Sequence, residues 1–451
     1  MRIISGGEFS SYWKSQTARE EDNKTESIVK EIIASVRKDG DKAVRHYASR
    51  FDKSSPAQLE VSLTEAKRSF EELRANDPAL TQALELASRN LKRFSEKQKE
   101  QFIDFEYEMD TGLITGQRVI PVQRAAVYVP GGRFPLFSSV LMCMIPAFCA
   151  GSEEVILCSP PAEDGLPDRK ILAAAAIAAD EAGVSDNGRL RIFAIGGAQA
   201  IAALAIGTET VPRADIIAGP GNKYVAAAKR FLFGETGIDF IAGPTDVLII
   251  SDGMDVKCAD ADDFSPQAAD IIAADMLAQA EHDPDARARV LVPNKEFAQL
   301  IAAAVESRLI ALPTAEIARA SLEAGGLIVV YQSMEEALRI ADTIAPEHLE
   351  LQLKDAESWA PLIKNYGSLF IGALSAEALG DYSAGVNHTL PTSTSARFTG
   401  GLSVRHFFKT VTTLRCTPGE GFEKARNAAE IIARSEGLEG HAQSAACRKK
   451  I

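Results

Sequence analysis

Six histidines occur in 451 residues, and four of them stand beside other polar side chains in contexts that suit chemistry better than packing. Imidazole gains or loses a proton near neutral pH and is a common ligand of metal ions. These four histidines therefore mark the segments where catalysis or metal binding is expected, and they are His282, His348, His388 and His441.

The first segment is residues 278–284, in which Gln279 and His282 stand three positions apart at the end of a predicted helix. This spacing places both side chains on one face of the helix, where they could bind a metal ion. Taken alone, the segment is more typical of a solvated helix end. Histidine is favoured near the negative end of the helix dipole, and glutamine is an uncommon zinc ligand.

The second segment places Glu347 and His348 directly after Pro346, between a predicted helix and a predicted strand. A histidine can move a proton near neutral pH, and an adjacent carboxylate can orient or activate a water molecule. A charged surface turn explains the same residues equally well.

Two further segments lie nearer the C-terminus. Residues 380–392 combine Asp381 and His388 with small and polar residues, which predicts a loop held by backbone hydrogen bonds and suited to ligand contacts. Glu436 and His441 follow the last predicted helix. A capped helix and a flexible tail are the simpler explanation of that last pair.

The sequence has no G-x-G-x-x-G motif, the pattern that would indicate a dinucleotide-binding site. Two glycine turns follow apparent strands instead, and they lead to Gln199 and Asn222. Glycines in such turns let a ligand approach the backbone closely, although ordinary turns account for them equally well.

The elements that must hold these segments begin with a helix-rich part and continue as a regular alternation. Residues 25–105 show apolar side chains at helical spacing, with a break at Gly40. From about residue 120, short strand patterns alternate with alanine-rich helices, which predicts mainly parallel sheets covered on both faces. A chain of this length is expected to form at least two domains.

Composition excludes several classes of protein. The balance of 46% hydrophobic and 25% charged residues is that of a soluble globular protein, and the net charge of −13 argues against a nucleic-acid partner. The six cysteines form no C-x-x-C pair, which predicts thiols in a reducing compartment. With no signal-peptide pattern and no apolar stretch longer than residues 140–150, we expect a cytoplasmic protein without membrane contact.

Several short motifs, in one order over nearly the whole chain, together resemble the histidinol dehydrogenase family. Each motif is weak by itself, but their joint presence is specific. They are VYVPGG at 127–132, PLFSSVLM at 135–142, GGAQAIAALA at 196–205, GPGN at 219–222, QAEH at 279–282, PEHL at 346–349 and NHTLPT at 387–392.

The resemblance implies a zinc- and NAD-dependent dehydrogenase that oxidises L-histidinol to L-histidine through L-histidinaldehyde, with two NAD per turnover. The implied acid–base pair is Glu347 and His348. The implied ligands of one zinc per subunit are Gln279, His282, Asp381 and His441. The implied NAD contacts are Tyr128, Gln199 and Asn222. The implied substrate contacts, besides the zinc ligands and His348, are Thr245, His388 and Glu436.

The resemblance also implies an α/β fold of two domains with mainly parallel, twisted, incomplete Rossmann-like sheets. The implied parts are an N-terminal arm over 1–27, a larger domain over 28–127 and 245–400 with the metal and catalytic residues, an NAD-binding domain over 128–244, and a C-terminal dimerisation segment over 401–451. In that family small terminal segments exchange in a homodimer, so Glu436 and His441 would act in the partner's active site.

Three features depart from the family pattern. Thr245 and Asp246 stand where relatives commonly have Ser-Glu, residues 405–410 differ from the usual Asp-Phe-x-Lys-Arg, and residues 258–267 look like an insertion.

An alternative function follows from other residues. Arg133, Lys409 and residues 399–401 resemble a paralogous branch that oxidises other small alcohols such as sulfopropanediol, and Arg133 would suit an anionic substrate. A non-catalytic zinc-binding protein on the same scaffold is a third possibility, which the presence of both Glu347 and His348 disfavours.

Overall fold

The computed structural model describes residues 1–16, 23–56, 58–131, 135–184, 188–253 and 265–450. The strands are β1 Arg2–Ser5, β2 Glu60–Val61, β3 Phe105–Asp110, β4 Leu113–Pro121, β5 Arg124–Tyr128, β6 Glu154–Ser159, β7 Leu190–Ala194, β8 Ile216–Ala218, β9 Gly237–Ile238, β10 Asp246–Ser251, β11 Arg287–Val292, β12 Leu327–Val330, β13 His348–Gln352, β14 Ser368–Ile371 and β15 Phe408–Cys416. The helices are α1 Gly6–Gln16, α2 Asn23–Phe51, α3 Leu63–Asn76, α4 Pro78–Lys99, α5 Phe137–Ala150, α6 Arg169–Glu181, α7 Gly197–Ile206, α8 Lys223–Leu232, α9 Pro266–Ala280, α10 Lys295–Leu309, α11 Ala315–Gly325, α12 Met334–Ile344, α13 Ala356–Trp359, α14 Glu377–Tyr382, α15 Glu420–Ser435 and α16 Glu439–Ala446.

The first six-stranded sheet has the order β2-β7-β6-β5-β8-β9 and is parallel except for β2, which pairs antiparallel with β7. Strands β5, β6 and β7 lie next to one another in chain order, and β8 then lies on the other side of β5. This reversal creates a crevice at the carboxyl ends of β5 and β8, where open parallel sheets usually bind ligands. Apolar side chains cover both faces of the sheet, with α2, α7 and α8 on one face and α3 to α6 on the other.

The second six-stranded sheet is parallel throughout and has the order β1-β12-β11-β10-β13-β14. Helices α9, α10 and α11 cover one face, and α1, α12 and α13 cover the other. The strands are continuous apolar runs because both of their faces are buried.

A third, smaller sheet joins distant parts of the chain. Strand β15 pairs antiparallel with β4 along its whole length, from Phe408 opposite Pro121 to Cys416 opposite Leu113, and β4 pairs with β3. The segment over 401–451, which the resemblance implies to be a dimerisation segment, contains β15, α15 and α16.

The predicted α/β class with mainly parallel sheets is confirmed, whereas exchange of terminal segments in a dimer stays a prediction. The predicted grouping of residues 28–127 with 245–400 differs from the packing, because α2 lies on the first sheet with α7 and α8. The arm predicted over 1–27 contributes β1, which pairs with β12 in the second sheet. Helical periodicity shows which face of α2 is buried but not which sheet buries it.

None of the helices in the described ranges has the length and apolar character needed to cross a membrane.

Candidate active site

A pocket of about 190 Å³ lies where the loop after β8 meets the start of β10 and β13. It brings together residues that are far apart in the sequence and that the sequence analysis singled out. The predicted site residues that line it are Thr245, Gln279, His282, Glu347, His348, Asp381 and His388.

The second sheet supplies this pocket from the amino ends of its strands. Strands β10 and β13 are neighbours, with Val247 opposite His348, so Thr245 and Glu347 emerge side by side just before them. Helix α9 follows β10 and returns along the sheet, which brings Gln279 at its C-terminal end back to the same edge. Ala345 takes a left-handed conformation (φ 48°) that ends α12 and turns the chain toward Glu347.

The carboxyl group of Glu347 is held by its neighbours before β10. Its Oε2 accepts hydrogen bonds from the Thr245 hydroxyl at 2.5 Å and from the Asp246 backbone N–H at 3.0 Å, and the Glu347 N–H donates to Asp246 Oδ1 at 3.0 Å. Arg289 in turn pairs with Asp246 Oδ2 at 2.7 Å. Burial raises the pKa of Glu347 to about 7 despite these hydrogen bonds.

His348 is buried among carboxylates. Its Nε2 lies 3.3 Å from Asp381 Oδ1, and its Nδ1 lies 3.7 Å from Glu377 Oε1 and 4.0 Å from Glu347 Oε2. Burial alone lowers the pKa of an imidazole, but the charges of Glu377, Glu347 and Asp381 outweigh it and hold the pKa of His348 well above its ordinary value.

Glu377 is a further member of this cluster and was not among the residues predicted from the sequence. It stands four residues before Asp381 on α14, a spacing that places both carboxylates on one helical face. Ligand atoms of His348, Glu377 and Asp381 lie within 4.8 Å of one another. The Nδ1 atom of His348 and Oε2 of Glu377 are buried without a hydrogen-bond partner among the described residues. The i, i+4 carboxylates were the signal that could have found Glu377.

The amide of Gln279 lies between this cluster and β10. Oriented by its hydrogen-bond network, it donates to Glu377 Oε1 at 2.6 Å, and its oxygen accepts the Asp246 backbone N–H at 2.8 Å. His282 lines the same pocket and is exposed there.

His388 has both ring nitrogens engaged. Its Nδ1 lies 2.8 Å from the backbone carbonyl of Asp381, which can only accept, so Nδ1 carries the proton and Nε2 accepts from the Ser139 hydroxyl at 3.0 Å. Burial lowers the pKa of His388, which agrees with a neutral imidazole. The protein therefore fixes this ring in one orientation at the pocket wall.

Glu436 and His441 lie elsewhere. Both are exposed, on the link between α15 and α16 and on α16 itself, and neither is among the described residues of this chain that line the pocket. Their predicted roles depend on a second subunit and stay predictions.

A second cavity, of about 480 Å³, occupies the crevice of the first sheet. Tyr128, Gln199 and Asn222, which the resemblance implies as NAD contacts, all line it. The Tyr128 hydroxyl accepts the backbone N–H of Gly197 at 3.0 Å. The side chain of Asn222 caps α8 by accepting the N–H of Tyr224 at 3.0 Å.

The loop 219–222 separates the cavity from the pocket. Pro220 and Gly221 line the pocket, whereas Asn222 lines the cavity. A buried ion pair fixes the start of the loop: Lys229 binds Asp239 and donates to the Gly219 carbonyl at 3.0 Å, and Asp239 accepts the Gly219 N–H at 2.8 Å. The two spaces thus open onto opposite sides of one rigid turn.

A doubly wound sheet whose switch-point cavity adjoins a pocket with a buried glutamate and histidine is an arrangement that suits an enzyme with a nucleotide cofactor. The sequence model described as histidinol dehydrogenase matches residues 15–449. The histidinol dehydrogenase of Thermus thermophilus is 43% identical over 430 residues, covering 95% of each chain, and that of Nitrosospira multiformis is 42% identical over 96% of this chain and 93% of its own length.

A crystal structure of histidinol dehydrogenase from Elizabethkingia anophelis superposes on all of this chain and 97% of its own, with a TM-score of 0.86 at 33% identity. The chain belongs to the histidinol dehydrogenase family, an NAD-dependent group of oxidoreductases that act on an alcohol and an aldehyde. Of the departures named above, Arg133 and most of 258–267 lie outside the described residues.

Proposed function

We propose that this chain oxidises L-histidinol to L-histidine through L-histidinaldehyde, with two NAD and one zinc per subunit, at sites shared in a homodimer. The observation that carries the proposal is the placement of the buried pair Glu347 and His348 in a pocket that meets the switch-point cavity across the loop 219–222. Family membership supports the substrate and both cofactors.

The pocket suits a divalent cation. Buried carboxylates of Glu347, Glu377 and Asp381 surround one imidazole, and two polar atoms of this cluster have no partner among the described residues. A cation would offset this negative charge and release His348 to act as a base. The proposed ligands are Gln279, His282 and Asp381, with the partner subunit's His441 as the fourth, and a bound zinc would orient the amino alcohol and polarise its oxygen.

The cavity suits NAD. It lies at the carboxyl ends of β5 and β8, where doubly wound sheets bind dinucleotides, and Tyr128, Gln199 and Asn222 are the proposed contacts. Gly219 shows how close the backbones come there: with φ at 113°, an added Cβ would lie 2.1 Å from the Tyr128 carbonyl. Bound NAD supplies the hydride acceptor for each oxidation.

The protein residues then divide the work between two steps. With NAD bound, His348 would take the hydroxyl proton of the alcohol as its carbon gives up hydride, which leaves the aldehyde. Glu347, whose pKa burial raises to about 7, would take a proton from water as that water adds to the aldehyde carbon. His348 would return its proton to the carbonyl oxygen, which gives the hydrate and frees His348 to act again. His348 would then take a hydroxyl proton from the hydrate as the second hydride leaves for a second NAD, and the product would be the carboxylic acid.

Substrate contacts are proposed for Thr245 and His388, and for Glu436 from the second subunit. A groove of about 1020 Å³ adjoins the pocket and shares Phe240, Ala242, Gly243 and Thr392 with it. Phe233 and Phe398 in this groove are 66% and 82% exposed, which favours a space that a second copy of the chain covers. A partner's C-terminal helix entering here would bring His441 to the pocket.

The charge of the pocket favours a cationic amino alcohol over a sulfonated one. No arginine or lysine is among the described residues that line it, whereas Glu347 and Asp381 are. Lys409 is exposed on β15, outside that lining. We also place the protein in the cytoplasm, with the free thiols of Cys143, Cys149, Cys158, Cys416 and Cys447 as support.

The test is a panel of purified alcohols with NAD, followed by NADH absorbance with and without added zinc. L-histidinol is expected to give NADH and 2,3-dihydroxypropane-1-sulfonate is not. NADH formed from the sulfonate alone would replace the proposed substrate with that of the sister branch.

A further inference from the structure

Asp52 is a carboxylate of the cavity that the proposed mechanism does not use. It follows the end of α2 and lines the cavity together with Pro160 and Gln199. Both hydrogen bonds that described residues donate to it go to Oδ2, from the Gly196 backbone N–H at 3.2 Å and from Gln199 Nε2 at 3.5 Å. Oδ1 accepts no hydrogen bond from the described residues, which leaves it for a ligand hydroxyl.

The position of the pocket indicates which way a dinucleotide would lie in the cavity. Hydride must reach the substrate beside His348, so the nicotinamide end of a dinucleotide belongs at the loop 219–222, near Asn222. The other end of the cavity lies beyond β5, where β6 ends and Pro160 lines the wall. Asp52 lies at that far end, which is the adenosine end.

Doubly wound sheets commonly place an acidic side chain near the end of the second strand, where it binds the adenosine ribose of NAD. Here the second strand is β6, which ends at Ser159 and is followed by Pro160 and Pro161, and the next carboxylates, Glu163 and Asp164, do not line the cavity. Asp52 reaches the same place from α2: a Cβ added to Gly196 would lie 2.3 Å from Asp52 Oδ1 and 2.8 Å from Pro160 Cγ.

We propose that Asp52 binds the adenosine ribose and selects NAD over NADP. Resting on the proposed use of NAD, this inference adds the residue that sets the choice of dinucleotide. A ribose 2′-hydroxyl can donate to the carboxylate, whereas a 2′-phosphate brings negative charge against it. Among the described residues that line the cavity there is no arginine to receive such a phosphate, and the one lysine, Lys53, is exposed.

The charge state of Asp52 agrees with this role. Burial raises its pKa to about 6, so the carboxylate is mostly ionised at pH 7.5. Substitution by asparagine keeps the shape and an oxygen for the Gly196 N–H but removes the charge.

The experiment is isothermal titration of the zinc-loaded enzyme with NAD⁺ and with NADP⁺ at pH 7.5, for the unchanged protein, Asp52→Asn and Asp52→Ser. The unchanged protein is expected to bind NAD⁺ more tightly, and each variant is expected to lower the Kd ratio of NADP⁺ to NAD⁺ by about tenfold or more. The serine variant serves if the asparagine variant does not fold, as judged by circular dichroism.

Asp41→Asn is the matched control, because Asp41 lies on the same helix but bonds to Thr208 and Thr210, away from the cavity. Its Kd ratio should equal that of the unchanged protein. An unaltered ratio in both Asp52 variants, or equal binding of the two dinucleotides by the unchanged protein, would overturn the inference while the proposed function stands. Histidinol oxidation without NAD reduction would contradict the proposed function itself.

Discussion

His348 cannot serve as a base while three carboxylates keep its proton in place. Glu377, Glu347 and Asp381 hold its pKa well above the ordinary value against the opposing effect of burial. A divalent cation bound to Asp381 would cancel part of that field and lower the pKa toward the working range. In the proposed site, metal binding and base strength would therefore be coupled, and loss of the metal should stop proton transfer by His348 as well as substrate orientation.

Replacement of one proposed ligand tests the metal site. We expect His282→Ala to lose most of its zinc while its thermal unfolding temperature stays close to that of the metal-free unchanged protein, because His282 is exposed in the pocket rather than packed. Metal analysis after dialysis gives the readout. His46→Ala, at an exposed position of α2, should keep a full equivalent, and a full equivalent in His282→Ala would remove that residue from the ligand set.

Glu347 separates the two oxidation steps. Glu347→Gln is expected to slow aldehyde oxidation by roughly 10²- to 10⁴-fold and alcohol oxidation by less than about tenfold, since only the aldehyde needs an activated water. The carboxyl must be ionised to accept a proton, so aldehyde oxidation by the unchanged protein should rise with pH, with a midpoint at or below about 7 because a bound cation would lower the pKa of Glu347. Stopped-flow assays started from each compound measure the steps, and an equal loss in both would refute the water-activating role.

At the residue scale, sequence could identify Glu347, His348 and Asp381 because scarce histidines and adjacent carboxylates stand out along the chain. The only signal for Glu377 was its i, i+4 spacing from Asp381, which is weak, since one more glutamate on a helix resembles a solvated side chain until its burial is known. The sequence could not show that Asp246 hydrogen-bonds to Glu347, because these residues lie about a hundred positions apart.

At the scale of the elements, the two sheets contribute opposite ends of their strands to the site. The first sheet offers the carboxyl ends of β5 and β8, the usual ligand edge, but the second sheet offers the amino ends of β10 and β13. The alternation of short apolar strand patterns with alanine-rich helices predicted the strands and their parallel direction correctly. They could not predict which edge of the second sheet faces the first, because that choice depends on packing between segments remote in the sequence.

The turn between β8 and α8 should tolerate no side chain at Gly219. A Cβ there meets the Tyr128 carbonyl at 2.1 Å and has φ 113°, whereas Gly234 has φ 102° with nothing within 4 Å. We expect Gly234→Ala to cost about 1–3 kcal/mol of unfolding free energy from backbone strain. Gly219→Ala should cost about 1–3 kcal/mol more from the steric contact.

Gly219→Ala should also weaken NAD binding, since it displaces the turn between cavity and pocket, while Gly234→Ala should not. Urea unfolding and NAD titration of both variants give the two readouts. Equal stability and equal NAD affinity in the two variants would show that the turn is not the rigid divider described above.

At the scale of the whole molecule, the predicted fourth zinc ligand, His441, does not line the pocket of its own chain but lies on the exposed C-terminal tail. If Glu436 and His441 enter the partner's site, two inactive variants can complement each other. His441→Ala lacks the donated ligand and His348→Asn lacks its own base, so a mixed dimer has one site with both defects and one with neither.

Co-refolding the two variants should restore up to about half of the activity per mixed dimer, while each parent stays inactive. Differently tagged subunits, purified by both tags, ensure that mixed dimers are assayed. Mixed dimers as inactive as the parents would mean that the tail acts within its own chain.

The central claim is that one site carries an amino alcohol through two successive oxidations. The most direct measurement is the number of NADH molecules formed for each L-histidinol consumed, with the product identified by mass spectrometry and an aldehyde-trapping hydrazine present. Two NADH per L-histidinol, L-histidine as the product and little trapped aldehyde are expected. One NADH per L-histidinol with the aldehyde released into solution, or no NADH from L-histidinol at all, would contradict the account.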